Sequence, residues 1–296
     1  MTPIVYATCA FIWGTTWFAI RRCIGHGGYP TFTAAALRFA IAAVILGALY
    51  ATGRGRPAPT RAQIAPLVGC GALGALGYAL VYLGEQSISG GLASVLYGTF
   101  PLVTALLATI GGVEKVRKNA IVGSVIALAG TGVVFADRLD VSRAQGIGVL
   151  FVLASVVVSS LYSTIVKRVG AELNPIATTG VFLGSAAAIL APVALVVDRD
   201  PIPWPPPAVP TIALLYLAIV GSVVVLAAYF FLLKRLSLMA VSTLVLVEPI
   251  IALVVDAIGE REVKLDARTW AGIAVTGVGI AVSVVSPRRG AGGAAA

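Results

Sequence analysis

The chain has 296 residues, 59% of them hydrophobic and 11% charged, with a net charge of +9. A soluble domain carries about a quarter charged residues, and a soluble chain of this length has no interior able to hide so much apolar surface, so an ordinary soluble protein is excluded. The basic residues form short clusters between apolar runs, the pattern of membrane-flanking anchors rather than of a nucleic-acid surface.

Apolar runs of spanning length fall at 3–20, 31–52, 63–84, 90–113, 119–136, 145–166, 175–197, 209–233, 238–259 and 269–286. Each has about 18 to 25 residues, enough for a helix to cross ~30 Å of hydrocarbon. The runs are continuous and do not alternate over ten residues, which favours helices over a barrel. The expectation is an all-α polytopic membrane protein with ten transmembrane helices. The first run has no basic segment before it and no A-x-A cleavage site, so it is expected to remain as a helix. Breakers separate the runs: Gly25-His26-Gly27-Gly28 with Pro30, the segment around Pro57 and Pro59, and the proline-rich stretch after Asp198. Residues 291–296 read as a disordered tail. Cys9, Cys23 and Cys70 have no metal-ligand spacing and read as small apolar fillers.

The first span contains WGTTW, residues 13–17. Trp13 and Trp17 are four apart and share a helix face. Trp13 is ~15 Å from the start of its span, at the middle of the bilayer. It either lines a cavity or packs; Trp17, one turn further, either lines the cavity or sits in the interfacial belt. Trp204 and Trp270 lie at predicted membrane edges, where belt residues belong. The second span contains Arg38. The third carries Gly69, Gly71, Gly74 and Gly77, read as close-packing positions, then Tyr78 and Tyr82. Tyr78 is deep enough for a cavity; Tyr82, near the edge, fits a cavity or the belt. Tyr97 and Pro101 lie in the fourth span. The sixth is unusually polar, with Ser155, Ser159, Ser160, Tyr162, Ser163 and Thr164; interhelical hydrogen bonding or a wet cavity wall accounts for it. Tyr229 in the eighth span is a further aromatic, for packing or lining. Glu248 and Pro249 lie in the ninth.

Arg38 and Glu248 are the intramembrane charges that demand a role. Their predicted depths differ by only a few ångströms, so they are expected to interact. Two readings stay open: a buried bridge that fixes packing, or Arg38 as a carboxylate site and Glu248 as an amine or proton site. Pro101 and Pro249 sit mid-span, where proline removes a helical hydrogen bond and permits bending; a hinge and a static kink both fit.

The two halves repeat at an offset of about 148 residues. Ser94 matches Ser242, Pro101 matches Pro249 and Glu114 matches Glu262; Gly123 and Gly130 match Gly272 and Gly279 one residue later. Ser159 and Ser163 match Trp13 and Trp17, whereas Phe100 stands opposite Glu248, so the charges break the symmetry. The units are 1–140 and 141–290. Each holds five spans, an odd number, so the second is expected to be inverted, the architecture of alternating-access carriers with a midplane site. The Lys and Arg bias, about twelve against eight despite Arg21 and Arg22, favours both termini in the cytoplasm.

WGTTWFAI, FTAAALRFAIAA, and FPLVTALL and VEPIIALV, each followed by a short glutamate-containing loop, resemble the EamA family of the drug/metabolite transporter superfamily. The resemblance covers nearly the whole chain, and within the family it is greatest to the YddG-type exporters of aromatic and other amino acids. It implies export of a small-molecule substrate, an amino acid, across a bacterial inner membrane. Other metabolites or drugs are the alternative substrates. A membrane-embedded enzyme or a channel are the competing classes, but no nucleotide loop, HExxH or G-x-S-x-G motif is present. No catalytic residue, cofactor, metal or nucleic-acid partner is expected.

Overall fold

A computed structural model describes residues 2–53, 60–135, 143–169, 174–259 and 267–284. The tail 291–296, Glu262 and the predicted flanking residues Arg54, Arg56, Arg138, Arg261, Lys264, Arg288 and Arg289 lie outside the described residues. The chain is all-helical among them. The first spans follow the sequence reading: α1 (Thr2–Ile24), α2 (Thr31–Thr52) and α3 (Arg61–Gly84) are uninterrupted. The fourth is divided into α4 (Gly90–Tyr97) and α5 (Phe100–Ile110). Next come α6 (Lys118–Phe135), α7 (Arg143–Val169) and α8 (Pro175–Val197). The eighth span is α9 (Ala208–Ala218), a π-helical segment (Ile219–Val224) and α10 (Val225–Arg235). The ninth is α11 (Leu238–Ser242), a 3-10 turn (Thr243–Leu246) and α12 (Glu248–Gly259), and α13 (Ala267–Val284) closes the chain. Among the described residues, seven stretches are long and apolar enough to cross a membrane, and Lys118–Val134 and Leu238–Ala252 are shorter apolar helical stretches.

The two prolines differ from the expectation. Pro101 and Pro249 are each the second residue of a helix, α5 and α12. A first-turn residue needs no intrahelical N–H partner, so proline starts these helices and removes no hydrogen bond from them. The chain breaks before each proline, at Gly98–Thr99 and at the 3-10 turn.

Helix ends are closed by partners from distant helices. Asp198, which ends α8, accepts hydrogen bonds from Thr33 N (2.6 Å) and Thr33 Oγ1 (2.7 Å) in the first turn of α2, so α2 and α8 run antiparallel. Tyr6, near the start of α1, bonds Thr243 at 2.7 Å. Lys167, near the end of α7, donates to the carbonyls of Leu233 and Leu236, each at 2.5 Å. The start of α1 and the end of α7 thus both reach the α10–α11 region, and these two helices run in opposite directions.

Close approach is made by glycine. Helices α6 and α13 are in backbone contact: a Cβ on Gly130 would meet the Gly272 carbonyl at 2.8 Å, and one on Gly272 would meet the Gly130 carbonyl at 2.8 Å. Lipid offers no hydrophobic drive for helix pairing, so this contact area supplies the association. Three of the four predicted packing glycines of α3 have close neighbours, Gly71 and Gly74 at Phe182 and Gly77 at Ser159; Gly69 has none within 4 Å. Trp204 and Trp270 are exposed.

Gly130→Leu is expected to lower the thermal midpoint in detergent, by about 1–3 kcal/mol of stability or more from overpacking. Gly132→Leu, at a position with nothing within 4 Å, should leave the midpoint nearly unchanged.

Candidate functional site

A cavity of about 70 Å³ lies inside the bundle, lined by α1, α2, α3, α4, α5, α7, α10 and the α11–α12 region. Of the residues singled out from sequence, Trp13, Trp17, Arg38, Tyr78, Tyr97, Ser159, Tyr229 and Glu248 line it. Tyr82 and Ser163 stand one layer behind the wall. Tyr82 is fully buried and lies 3.5 Å from Arg38 Nη1, so it is no belt residue. Ser163 accepts a 2.9 Å hydrogen bond from the Tyr229 hydroxyl. Pro101 and Pro249 do not line the cavity.

Sequence reasoning left out Thr16, Ile20, Val81, Phe100, Tyr162, Val241 and Val245. Two of these had a signal: Phe100 stands opposite Glu248 in the repeat, and Tyr162 belongs to the polar cluster of the sixth span.

Gly14 of WGTTW brings α1 onto α12, since a Cβ there would lie 2.6 Å from Ile251 Cβ and 3.2 Å from the Glu248 carbonyl. Trp17 is three residues on and shares that face. Its indole Nε1 donates to Glu248 Oε2 at 3.1 Å. The same ring meets Tyr97 edge-on at 5.1 Å, and Trp13 packs on Tyr229 at 4.9 Å. Tyr97 bonds Ser155 at 2.5 Å and Ser159 at 3.2 Å. The polar face of α7 therefore does both jobs open from sequence: it holds the tyrosine hydroxyls, and Ser159 also reaches the cavity.

Arg38 is 1% exposed and Glu248 2%. The direct bridge expected between them does not form among the described residues. Arg38 Nε donates to Ser222 Oγ at 2.8 Å and Nη2 to the Gly221 carbonyl at 2.7 Å. Both acceptors lie in the π-helical segment. Ser222 in turn donates to the Leu217 carbonyl, five residues back, and a π turn leaves a carbonyl free for an outside donor. Gly221 allows the approach, with its Cβ position 3.0 Å from Thr16 Cγ2 and 3.4 Å from Arg38 Nη2. The guanidinium also lies 5.1 Å from the Tyr78 ring centre and 5.3 Å from that of Phe39, a favourable arrangement for a desolvated cation. These partners are neutral, so the positive charge of Arg38 and the carboxylate of Glu248 face one cavity without cancelling each other in contact.

A wider depression of about 660 Å³ lies above the cavity at one end of the bundle, lined by Arg21, Arg22, Ile24, His26, Glu85, Gln86 and others. Ile20 and Val81 line the cavity, and Arg21 and Glu85 follow them on α1 and α3, so the two spaces are stacked.

Ser222→Ala deprives Arg38 Nε of its acceptor. The expected loss is about 1–3 kcal/mol of stability, read as a lower thermal midpoint. Ser185→Ala is the control, because among the described residues the Ser185 hydroxyl bonds only its own helix, at the Val181 carbonyl.

The EamA-like transporter family matches residues 2–136 and again 146–285. The chain is 27% identical over 246 residues to the "Uncharacterized inner membrane transporter YedA" of Escherichia coli (strain K12), covering 81% of this chain and 77% of that protein. It is 29% identical over 180 residues to an "Uncharacterized transporter" of Archaeoglobus fulgidus, covering 60% and 61%. It is 23% identical over 258 residues to "Protein PagO" of Salmonella typhimurium, covering 84% and 82%. A solved crystal structure superposes with a TM-score of 0.76 at 19% identity, covering 96% of both chains, which shows a shared fold. With the family pattern spanning nearly the whole chain, this membrane protein belongs to the EamA-like transporter family.

Proposed function

We propose that the protein is a secondary carrier that exports amino acids, aromatic and other neutral ones, across a bacterial inner membrane by alternating access. The observation that carries this reading is one cavity holding Arg38 and Glu248 on separate neutral partners. A zwitterion brings a carboxylate for the guanidinium and an ammonium for the carboxylate. Burying both charges is favourable only when each meets its opposite. Seven rings in the wall, those of Trp13, Trp17, Tyr78, Tyr97, Phe100, Tyr162 and Tyr229, receive the apolar side chain. The resemblance to YddG-type exporters supports the substrate class and the direction.

The architecture belonging to this reading is ten transmembrane helices in two inverted units, 1–140 and 141–290. The family pattern matching twice supports it, as does the opposite course of α1 and α7. Ser89 and Ser237, paired in the repeat, cap α4 and α11 alike: each side-chain oxygen accepts from the backbone N–H three residues on. The breaks before Pro101 and Pro249 serve as hinges. Both termini face the cytoplasm, which turns the Lys167 end inward and the Arg21 depression outward.

The test uses purified protein in liposomes and three forms of one substrate: an aromatic amino acid, its decarboxylated amine and its deaminated acid. Arg38→Met should weaken binding of the amino acid about tenfold or more and leave the amine unaffected. Glu248→Gln, whose amide oxygen can still accept from Trp17, should weaken the amino acid and leave the deaminated acid unaffected. Equal losses for all three forms would return both charges to a packing role. A panel in which drugs are transported and amino acids are not would overturn the amino-acid assignment.

A further inference from the structure

Glu114 is a motif residue to which cavity chemistry gives no task. It follows Pro101 by thirteen positions in the loop between α5 and α6 and does not line the cavity. Its Oε2 accepts a hydrogen bond from the backbone N–H of Leu238 at 2.7 Å. Leu238 is fully buried and is the first residue of α11. An N–H in the first helical turn has no partner within its own helix. Ser237 satisfies the Ala240 N–H of this turn from within the chain segment, and Glu114 satisfies Leu238 from the other half of the chain.

Val241 and Val245, three and seven residues beyond Leu238, form the cavity wall at this end. The α11 segment and its 3-10 turn therefore carry the wall, and Glu114 holds the start of that segment. Lys167 pins the preceding residues through the Leu233 and Leu236 carbonyls and lies within electrostatic reach of Glu114. At the opposite end the cavity lies beneath the wide Arg21 depression. Both ends carry ties across the halves, Asp198 to Thr33 at the Arg21 end and Glu114 to Leu238 at the Lys167 end, but only at the Lys167 end does the tie hold a segment of the cavity wall.

We infer that Glu114 is the gate-positioning residue of the Lys167 end: its hydrogen bond to Leu238 keeps the α11 wall closed there and must break for the cavity to open to that side. The break in the chain before Pro249 is where the wall segment turns. The direction of movement rests on the carrier reading, but the contact can be tested without any substrate.

The experiment measures thiol labelling by a membrane-impermeant reagent, applied to each side of oriented membrane vesicles. The background protein has Cys9, Cys23 and Cys70, all buried, replaced by alanine. Single cysteines are introduced as Val241→Cys at the gated end and Ile20→Cys beneath the depression. Adding Glu114→Ala should raise Val241→Cys labelling from the Lys167 side about tenfold, the scale of losing one charge-assisted hydrogen bond. The same change should lower Ile20→Cys labelling from the Arg21 side, because one population grows at the expense of the other. Glu114→Gln, which keeps an acceptor oxygen, should give a smaller shift in the same directions. Unchanged labelling at both positions overturns the assignment. A rise at both positions also overturns it, since that reports a loosened fold. Failure of the amino-acid assay with this opposite shift intact would leave the gate standing and remove only the substrate.

Discussion

The buried guanidinium of Arg38 finds its acceptors because the eighth span stops being an α-helix beside it. An ordinary helix keeps its carbonyls for itself, and a buried guanidinium would find nothing to bond. The π turn at Ile219–Val224 releases the Gly221 carbonyl and aims the Ser222 hydroxyl at the same side chain. Much else is arranged around that arrangement. Thr16 of α1 touches Gly221, Tyr82 stands behind the guanidinium, and the ring of Tyr78 lies beside it. Because all these partners are neutral, the cation keeps its field and directs it into the cavity.

Glu248 is managed differently. It begins α12 directly after the 3-10 turn, and its first-turn position is favoured by the helix dipole. Gly14 lets α1 approach closely enough for Trp17 to donate an indole N–H. WGTTW is thus a docking segment as well as a wall: its glycine sets the distance, one tryptophan holds the carboxylate, and the other supplies a face. Irregular backbone serves both intramembrane charges: Arg38, on a regular helix, bonds the buried Gly221 and Ser222 of the π segment, and Glu248 follows the 3-10 turn, in keeping with the tolerance of membrane interiors for such backbone where protein buries it.

The sequence made the helical spans legible because apolar length is a strong signal. Eight lining residues were also readable, since tryptophan, tyrosine, serine and charge within a span are conspicuous. What it could not convey was where helices break. Nothing in IVGSVV marks a π turn rather than an α turn, so the acceptors for Arg38 were invisible and equal depth suggested Glu248 as its partner. The prolines pointed to the places where the chain breaks, but not to their position in the first turn of a helix, since a proline looks the same whether it interrupts one helix or starts the next. The valines and isoleucines of the wall were hidden for a plainer reason: in a chain this apolar, an aliphatic side chain facing a cavity looks like one facing lipid.

The glycine contact between α6 and α13 has a bearing on stoichiometry. Each helix presents a face on which backbone meets backbone, and the two faces match each other. Separate polypeptides carrying such faces would have to find one another in the bilayer, and their pairing would depend on how many copies the membrane held. Here a single chain supplies both, so docking is intramolecular and governed by an effective concentration set by the connecting chain. The sticky surfaces of α6 and α13 are already used up within one molecule. The pairing therefore stays complete however sparsely the cell expresses the protein.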